Sequence, residues 1–387
     1  MANFHLTRSY VSLFPSLIFL LYFQVSDAQK FGPKSSYFDK IYQLGASKAD
    51  TGNLIRESPS RSLCSSFPYG QNFFRGATGR CSNGLLIIDY TALSAGLPFL
   101  NPYKEIGADF SNGINFAVAG ATALPVETLA AMNIRSPFTP SSLSVQLDWM
   151  ASFFNSTCHS NKDCAEKNAN ALFMVGEIGS NDYNYALFQG KSIQEAKQMV
   201  PQVVGVIAIA VKKAIQFGAT RVIVPGNFPV GCFPLYLTGF QTNDSTAYDE
   251  EFHCLKDINN LMIYHNEQLQ QATNELKAQN PNTTIIYADY YNAYLWILSK
   301  ARLLDFDINA VRKACCGIGG AYNFDMNRMG CLFYEKVKNG KGLLMVNYGL
   351  NCDTLADPQW VLVGHLTHQL KIYLFNFLFP QNSDLKP

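Results

Sequence analysis

Five short apolar runs, separated by segments with helical spacing, constrain the fold of this chain most. The runs are 40–44, 114–119, 171–176, 221–225 and 284–288, and each is short and apolar enough to be a strand buried on both faces. The helical segments are 85–97, 144–154, 201–217, 251–279 and 366–378. This alternation predicts one parallel sheet of about five strands, covered by helices on both faces.

The loops that follow these strands should carry the chemistry, because the ligand crevice of an open parallel sheet lies at the carboxyl ends of its strands. Ser47 follows the first run, Gly120 the second and Asn181 the third, while His365 lies near the end of the chain. Taken singly, a serine after a strand is more often a helix cap, and a glycine there usually serves a turn. Their shared placement at strand ends makes a joint catalytic interpretation the stronger one.

Size and charge exclude some functions. The chain has 387 residues, a formal net charge of +1 and 48% hydrophobic residues, which suits a globular protein with a large core. A net charge this small gives no electrostatic footprint for nucleic acid. We therefore expect no nucleic-acid partner, and the sequence leaves the oligomeric state open.

The first residues resemble a secretory signal peptide. An apolar run over 10–25 is followed by small residues that end at Ala28, as a signal peptidase requires. We expect a signal peptide over 1–28 and a single domain over 29–387. A transmembrane anchor is the alternative, but the run is short for a span and contains Pro15. We find no second stretch that is apolar enough to cross a bilayer, so we expect no stable membrane insertion.

Cysteine content agrees with an oxidising compartment, where most of the thiols should be paired. Cys158 can close a small loop with Cys164, and a bridge from Cys232 to Cys254 is plausible. One of Cys315 and Cys316 could pair with Cys331 or Cys352; sequence alone does not fix the connectivity. A metal site is the alternative, but no ligand spacing supports one. The ten cysteines are Cys64, Cys81, Cys158, Cys164, Cys232, Cys254, Cys315, Cys316, Cys331 and Cys352.

Three N-glycosylation sequons, at Asn155, Asn243 and Asn282, also favour the secretory route. Each lies in a polar stretch where a glycan could face water.

The loop motifs resemble those of the plant GDSL esterase/lipase family, a branch of the SGNH hydrolases. The resemblance runs from about Phe38 to Tyr322, and within the family it is strongest to the acetylajmalan esterase group, which removes acetyl from an indole alkaloid. The motifs that carry it lie at 44–53, 67–74, 79–84, 115–122, 179–183, 224–232, 287–293 and 315–320.

This resemblance implies a flavodoxin-like, three-layer α/β/α fold and a secreted serine ester hydrolase that acts on a small, acetylated specialised metabolite. By position, Ser47 would be the nucleophile and His365 its general base. The backbone N–H groups of Ser47 and Gly120 and the side-chain amide of Asn181 would form the oxyanion hole. Such chemistry needs no cofactor. The resemblance also implies a role in lipid degradation or alkaloid metabolism, in an extracellular or vacuolar location.

The first motif and the end of the chain depart from the family pattern. Ala46 and Lys48 stand where the family has an aspartate and an apolar residue. The family's aspartate three residues before the histidine, which orients the base, is replaced by Leu362. Asp357 is the nearest upstream acid that could substitute, and a backbone carbonyl could instead orient the histidine of a Ser–His dyad. His368 is the alternative base.

These departures leave two alternatives open: a catalytically impaired, GDSL-like pseudoenzyme and an acyltransferase. The stretch 331–351, with three lysines, also differs from the family. It is either a genuine insertion or an error in the gene structure.

Overall fold

The computed structural model describes residues 38–58, 63–66, 69–70, 73–82, 84–303, 308–309, 311–314 and 320–324. Within them, five strands form one sheet in which every neighbouring pair is parallel. The strands are β1 (Lys40–Leu44), β2 (Gly113–Asn115), β3 (Ala171–Val175), β4 (Arg221–Pro225) and β5 (Thr284–Ala288). Their order across the sheet is β2-β1-β3-β4-β5, which confirms the predicted five-stranded parallel sheet.

Helices connect and cover the strands. They are α1 (Asn53–Glu57), α2 (Ile87–Ser94), α3 (Val126–Ala131), α4 (Leu143–Thr157), α5 (Asn161–Asn168), α6 (Ser180–Phe188), α7 (Ile193–Gln216), α8 (Pro234–Gly239), α9 (Lys256–Gln279) and α10 (Tyr290–Ser299). Short 3-10 turns lie at Leu63–Ser65, Val230–Cys232 and Ser245–Ala247. The predicted helix over 366–378 lies outside the described residues.

Both faces of the sheet are covered, as a three-layer α/β/α fold requires. Successive side chains of a strand point to opposite faces, and Val222, Ile223 and Val224 of β4 are all buried. Helix α7 packs against β3 and lies between α4 and α9, while α9 also packs against β5. Tyr42 of β1 meets Phe154 of α4 with ring centroids 4.9 Å apart, so aromatic contacts join the sheet to this helical layer.

Several predicted elements have different bounds in the structure, and two of them differ most. The strand predicted over 114–119 ends at Asn115, because the Asn115 side chain accepts the N–H of Ala117 and donates to the carbonyl of Ala49. The apolar residues that follow are buried in a loop. The helix predicted over 201–217 begins at Ile193 and contains Pro201 in its interior.

The same helix α7 corrects the expectation that no further stretch could cross a bilayer. By length and composition, Ile193–Gln216 meets the requirement for a membrane span. The helix is also part of the core, since nine of its side chains, from Ala196 to Ala214, are buried. Packing between two other helices is enough to account for its apolar composition.

Three disulfides join described cysteines. The predicted pairs Cys158–Cys164 and Cys232–Cys254 are confirmed, and Cys64–Cys81 is a third. The other four cysteines lie outside the described residues.

Candidate active site

Ser47 and Gly120 lie in two loops, and Asn181 lies in the first turn of helix α6 directly after a third loop, all at one edge of the sheet. Each loop follows the carboxyl end of a strand: β1, β2 and β3 respectively. Because β1 lies between β2 and β3 in the sheet, the three loops are neighbours. All three residues are partly exposed, so this edge of the molecule is open to a ligand.

Hydrogen bonds join the three loops to each other. The N–H of Ala46 donates to the carbonyl of Glu177 at 3.2 Å, and that of Val118 donates to Gly45 at 3.2 Å. The side-chain amide of Asn181 donates to the carbonyl of Ala121 at 2.8 Å. Every pair of loops is therefore connected directly, and their relative positions are fixed by short polar contacts.

Gln146 of helix α4 holds the start of the Ser47 loop. Its side-chain amide accepts from the N–H of Gly45 and donates to the carbonyl of the same residue, both at 2.9 Å. A Cβ atom at position 45 would lie 3.0 Å from the carbonyl oxygen of Gly176. The absence of a side chain at Gly45 thus allows the loops after β1 and β3 to pack closely.

Asp50 is the polar centre beneath the nucleophile loop. Its fully buried carboxylate accepts the N–H groups of Gly52, Asn53 and Leu54, at 2.6 to 3.1 Å, where helix α1 begins. It also accepts the N–H of Ala119 at 2.8 Å, from the loop after β2. Burial raises the pKa of this carboxyl, and the four N–H donors oppose that shift.

The site presents hydrogen-bond donors that are not used within the described part of the chain. Neither the N–H of Ser47 nor that of Gly120 donates to an acceptor among the described residues. Asn181 uses one amide hydrogen on Ala121, and its second has no acceptor among those residues. Such donors can stabilise negative charge on an oxygen atom that is placed between them.

Gly120 is held in a conformation that favours glycine. Its φ is +85°, and a Cβ atom there would lie 2.6 Å from the Cβ of Phe138. Its carbonyl accepts the hydroxyl of Tyr185 at 2.7 Å. Any other residue at position 120 would strain the backbone and collide with Phe138.

Asp182, next to Asn181, joins helix α6 to the loop after β2. Its buried carboxylate accepts the N–H groups of Ala123 and Leu124, at 2.8 and 2.9 Å. No cation is paired with it among the described salt bridges. Burial raises its pKa to about 7, against the lowering effect of these N–H donors.

The two residues that depart from the family pattern in the first motif, Ala46 and Lys48, are both accommodated by the structure. The side chain of Ala46 is buried, at 2% exposure. Lys48 reaches back to the buried carboxylate of Glu177 at 2.9 Å, and the hydroxyl of Ser180 donates to the other oxygen of that carboxylate at 2.6 Å. The charge introduced by Lys48 is therefore neutralised at the edge of the site.

The residues expected from the end of the chain, His365, His368, Leu362 and Asp357, lie outside the described residues. Among the described histidines, His265 of helix α9 is fully buried, and its Nδ1 lies 2.7 Å from the hydroxyl of Tyr183. Burial lowers its pKa to about 3, so it remains neutral. The side chain of His265 belongs to the core behind helix α6.

Three features of the site were missed by the sequence reasoning: the polar centre at Asp50, the contacts of Gln146 and the Lys48–Glu177 pair. Asp50 had a local signal, because an aspartate shortly before a Gly-Asn pair often accepts backbone N–H groups where a helix begins. Gln146 and Glu177 act across long sequence distances and have no such signal.

A doubly covered parallel sheet, with a serine loop and with donors that have no acceptor in the described part of the chain at the carboxyl ends of its strands, is the arrangement expected of an α/β serine hydrolase. Residues 41–340 match the family described as GDSL-like Lipase/Acylhydrolase. The chain belongs to this family and is a carboxylic-ester hydrolase.

Individual relatives agree with this assignment. Acetylajmalan esterase 1 of Rauvolfia serpentina is 46% identical over 75% of this chain and 76% of its own length. Acetylajmalan esterase 2 from the same plant is 46% identical over 76% and 80%. The GDSL esterase/lipase At1g28580 of Arabidopsis thaliana is 44% identical over 80% of both chains. Among solved structures, a gut microbial diltiazem-metabolizing enzyme matches with a TM-score of 0.28 and 15% identity, over 74% of this chain and 43% of that one.

Proposed function

We propose that this protein hydrolyses a small acylated, in particular acetylated, specialised metabolite, with Ser47 as nucleophile and His365 as general base. The backbone N–H groups of Ser47 and Gly120 and the side-chain amide of Asn181 form the oxyanion hole. One observation carries the proposal: three donors without acceptors among the described residues lie in loops that are bonded to one another at a single sheet edge. The acetyl preference is supported by the relatives named acetylajmalan esterase.

The proposed mechanism follows from these assigned roles. His365 takes the proton of the Ser47 hydroxyl while the oxygen attacks the ester carbonyl, because a neutral hydroxyl is a poor nucleophile. The three donors stabilise the oxyanion that forms, and the alcohol leaves with a proton from the histidine. Water then attacks the acyl-enzyme by the reverse sequence, releasing the acid. The aspartate that orients the base elsewhere in the family is absent at Leu362, so Asp357 or a backbone carbonyl takes that part, at a cost in rate.

Substitution of the nucleophile and of the two candidate bases tests this proposal. With an aryl acetate as substrate, Ser47→Ala and His365→Gln should each lower kcat by on the order of 1,000-fold or more, while His368→Gln should remain within about twofold of the unsubstituted protein. Ser94→Ala, a change of an exposed serine in helix α2, serves as the control. Circular dichroism verifies that each variant is folded.

Chemical labelling separates an active site from an inactive one. A serine-directed organophosphonate should attach stoichiometrically to the peptide that contains Ser47, and mass spectrometry locates the adduct. Full activity in Ser47→Ala, or no labelling of a folded protein, would refute the proposal. With candidate alcohols added, ester product in preference to free acid would identify an acyltransferase.

We further propose that the protein enters the secretory pathway, loses residues 1–28 and acts in an extracellular or vacuolar space as one domain over 29–387. The three disulfides support an oxidising compartment. The sequon residues Asn155, Asn243 and Asn282 are all exposed, so each could carry a glycan. N-terminal sequencing of protein from a secreting host should begin at Gln29; an intact N-terminus would contradict cleavage.

A further inference from the structure

One face of helix α6 holds the segment 120–124, here called the oxyanion loop. Asn181 donates to the carbonyl of Ala121, and Asp182 accepts the N–H groups of Ala123 and Leu124. One turn further along the helix, Tyr185 donates to the carbonyl of Gly120 at 2.7 Å. Four hydrogen bonds from three side chains therefore fix this loop to the helix that also carries Asn181.

Tyr185 makes the contact nearest to the donor glycine. Its ring is 8% exposed and lies beside Phe138, with ring centroids 6.2 Å apart. Phe138 in turn packs against the Cα of Gly120, where a Cβ would come within 2.6 Å. The aromatic pair and the hydroxyl therefore both contact the backbone of Gly120.

We propose that Tyr185 is a positioning residue of the ester-cleaving site: its hydroxyl holds the carbonyl of Gly120, and with it the backbone of this residue, so that the N–H of Gly120 and the amide of Asn181 point at the same oxyanion. The inference rests on the proposed function, since it assigns a role within that oxyanion hole.

The physical reason is that an oxyanion hole accelerates the reaction only when its donors are already oriented. Gly120 has no side chain, so its own packing does little to prevent rotation of the adjacent peptide planes. A hydrogen bond to its carbonyl fixes the peptide plane that follows Gly120 and so limits rotation at its Cα, on which the direction of the Gly120 N–H also depends. Because the oxyanion exists only in the transition state and the tetrahedral intermediate, loss of this orientation should lower kcat and leave KM nearly unchanged.

Tyr183 provides a matched control on the same helix. Tyr183 is also buried, and its hydroxyl also makes one hydrogen bond. That bond joins it to Nδ1 of His265 on helix α9, away from the oxyanion loop. The substitutions Tyr185→Phe and Tyr183→Phe each delete one buried hydroxyl without changing the ring. A role limited to stability would give both variants the same kinetic behaviour.

The experiment measures kcat and KM on an aryl acetate, inhibition by a boronic acid that forms a tetrahedral adduct with serine, and the melting temperature. For Tyr185→Phe we expect kcat to fall by about tenfold and the inhibition constant of the boronic acid to rise by a similar factor, with KM within about twofold. For Tyr183→Phe we expect a lowered melting temperature, while kcat and the inhibition constant stay within about twofold of the unsubstituted protein.

Three outcomes would overturn the inference. Equal kcat values for the two variants would make Tyr185 structural only. A rise in KM with kcat unchanged would assign Tyr185 to substrate binding. If the unsubstituted protein shows no Ser47-dependent turnover and no Ser47 labelling, the proposed function fails and this inference fails with it. If it shows both turnover and labelling, a negative result for Tyr185→Phe refutes only the positioning role of Tyr185.

Discussion

At the scale of single residues, the Lys48–Glu177 pair is the feature that distinguishes this site from the family pattern. The side chain of Glu177 is 1% exposed, and the side chain of Lys48 is 16% exposed. A buried charge without a partner is costly, whereas a partly exposed lysine can turn its ammonium group toward water. The two halves of the pair should therefore respond differently to substitution.

We predict that Lys48→Met lowers the free energy of unfolding by about 3 kcal/mol, because it leaves Glu177 buried without a cation. Glu177→Gln should cost less, and the double variant should be more stable than the sum of the two single effects implies. Urea denaturation of the four proteins measures this coupling.

The exposed pair Lys162–Glu166, with side-chain exposures of 87% and 68%, is the control for this cycle. Lys162→Met should change stability by no more than about 0.5 kcal/mol. Additive effects at Lys48 and Glu177 would show that the two side chains do not interact in solution.

At the scale of elements, the sequence predicts the sheet better than it predicts the helix boundaries. The runs 40–44, 221–225 and 284–288 coincide with β1, β4 and β5, because a strand buried on both faces must be apolar at every position. The apolar face of 201–217 predicts a helix that begins at Pro201, and a proline is indeed common in the first turn of a helix. The structure begins this helix at Ile193, after a capping box between Ser192 and Glu195.

The placement of the candidate site residues was predictable to a similar degree. Ser47, Gly120 and Asn181 each follow an apolar strand, and parallel strands bring the segments after them to one edge of the sheet; their catalytic roles are predictions from the family resemblance. The contacts that fix these loops come from Gln146, Asp182 and Tyr185, on helices α4 and α6. Their partners are backbone groups, which every residue possesses, so no pattern of side chains could predict the pairing.

Pro201 also leads to a prediction for helix α7. It lies inside the helix, is exposed, and leaves the carbonyl of Lys197 without its helical N–H donor. We predict that Pro201→Ala raises the free energy of unfolding by about 1–2 kcal/mol, since the restored hydrogen bond and the helix propensity of alanine outweigh the greater freedom of the unfolded chain.

Gly205→Ala, on the same helix, is the comparison. A Cβ atom at this exposed position meets nothing within 4 Å, so the substitution should add about 1 kcal/mol through helix propensity alone. A destabilised Pro201→Ala variant would show that the core packing of α7 depends on the bend a proline introduces.

At the scale of the whole molecule, two buried groups give stability opposite dependences on pH. The pKa of Asp182 is raised to about 7, so the folded protein keeps a proton that the unfolded chain releases above about pH 4. Stability therefore falls as pH rises from about 4 to 7. The pKa of His265 is lowered to about 3. Below about pH 6.5 the unfolded chain therefore binds a proton at this histidine that the folded protein does not bind. Because of this difference, stability falls as pH decreases from about 6.5 to 3.

The slopes of Asp182 and His265 oppose each other between about pH 4 and 6.5, and burial also raises the pKa of Asp50, which adds to the slope of Asp182. We therefore predict that the free energy of unfolding falls as pH rises over this range, because two buried carboxyls act against one buried histidine. The variant His265→Gln should retain the contribution of the buried carboxyl groups to the pH dependence, so its free energy of unfolding should fall as pH rises. Asp182→Asn should remove one of the two carboxyl contributions, so its stability should fall less with rising pH than that of the unsubstituted protein, whatever the change in its absolute value. Denaturation at about pH 4.5, 5.5, 6.5 and 7.5 measures the three slopes; parallel curves would show that neither side chain titrates differently in the folded and unfolded protein.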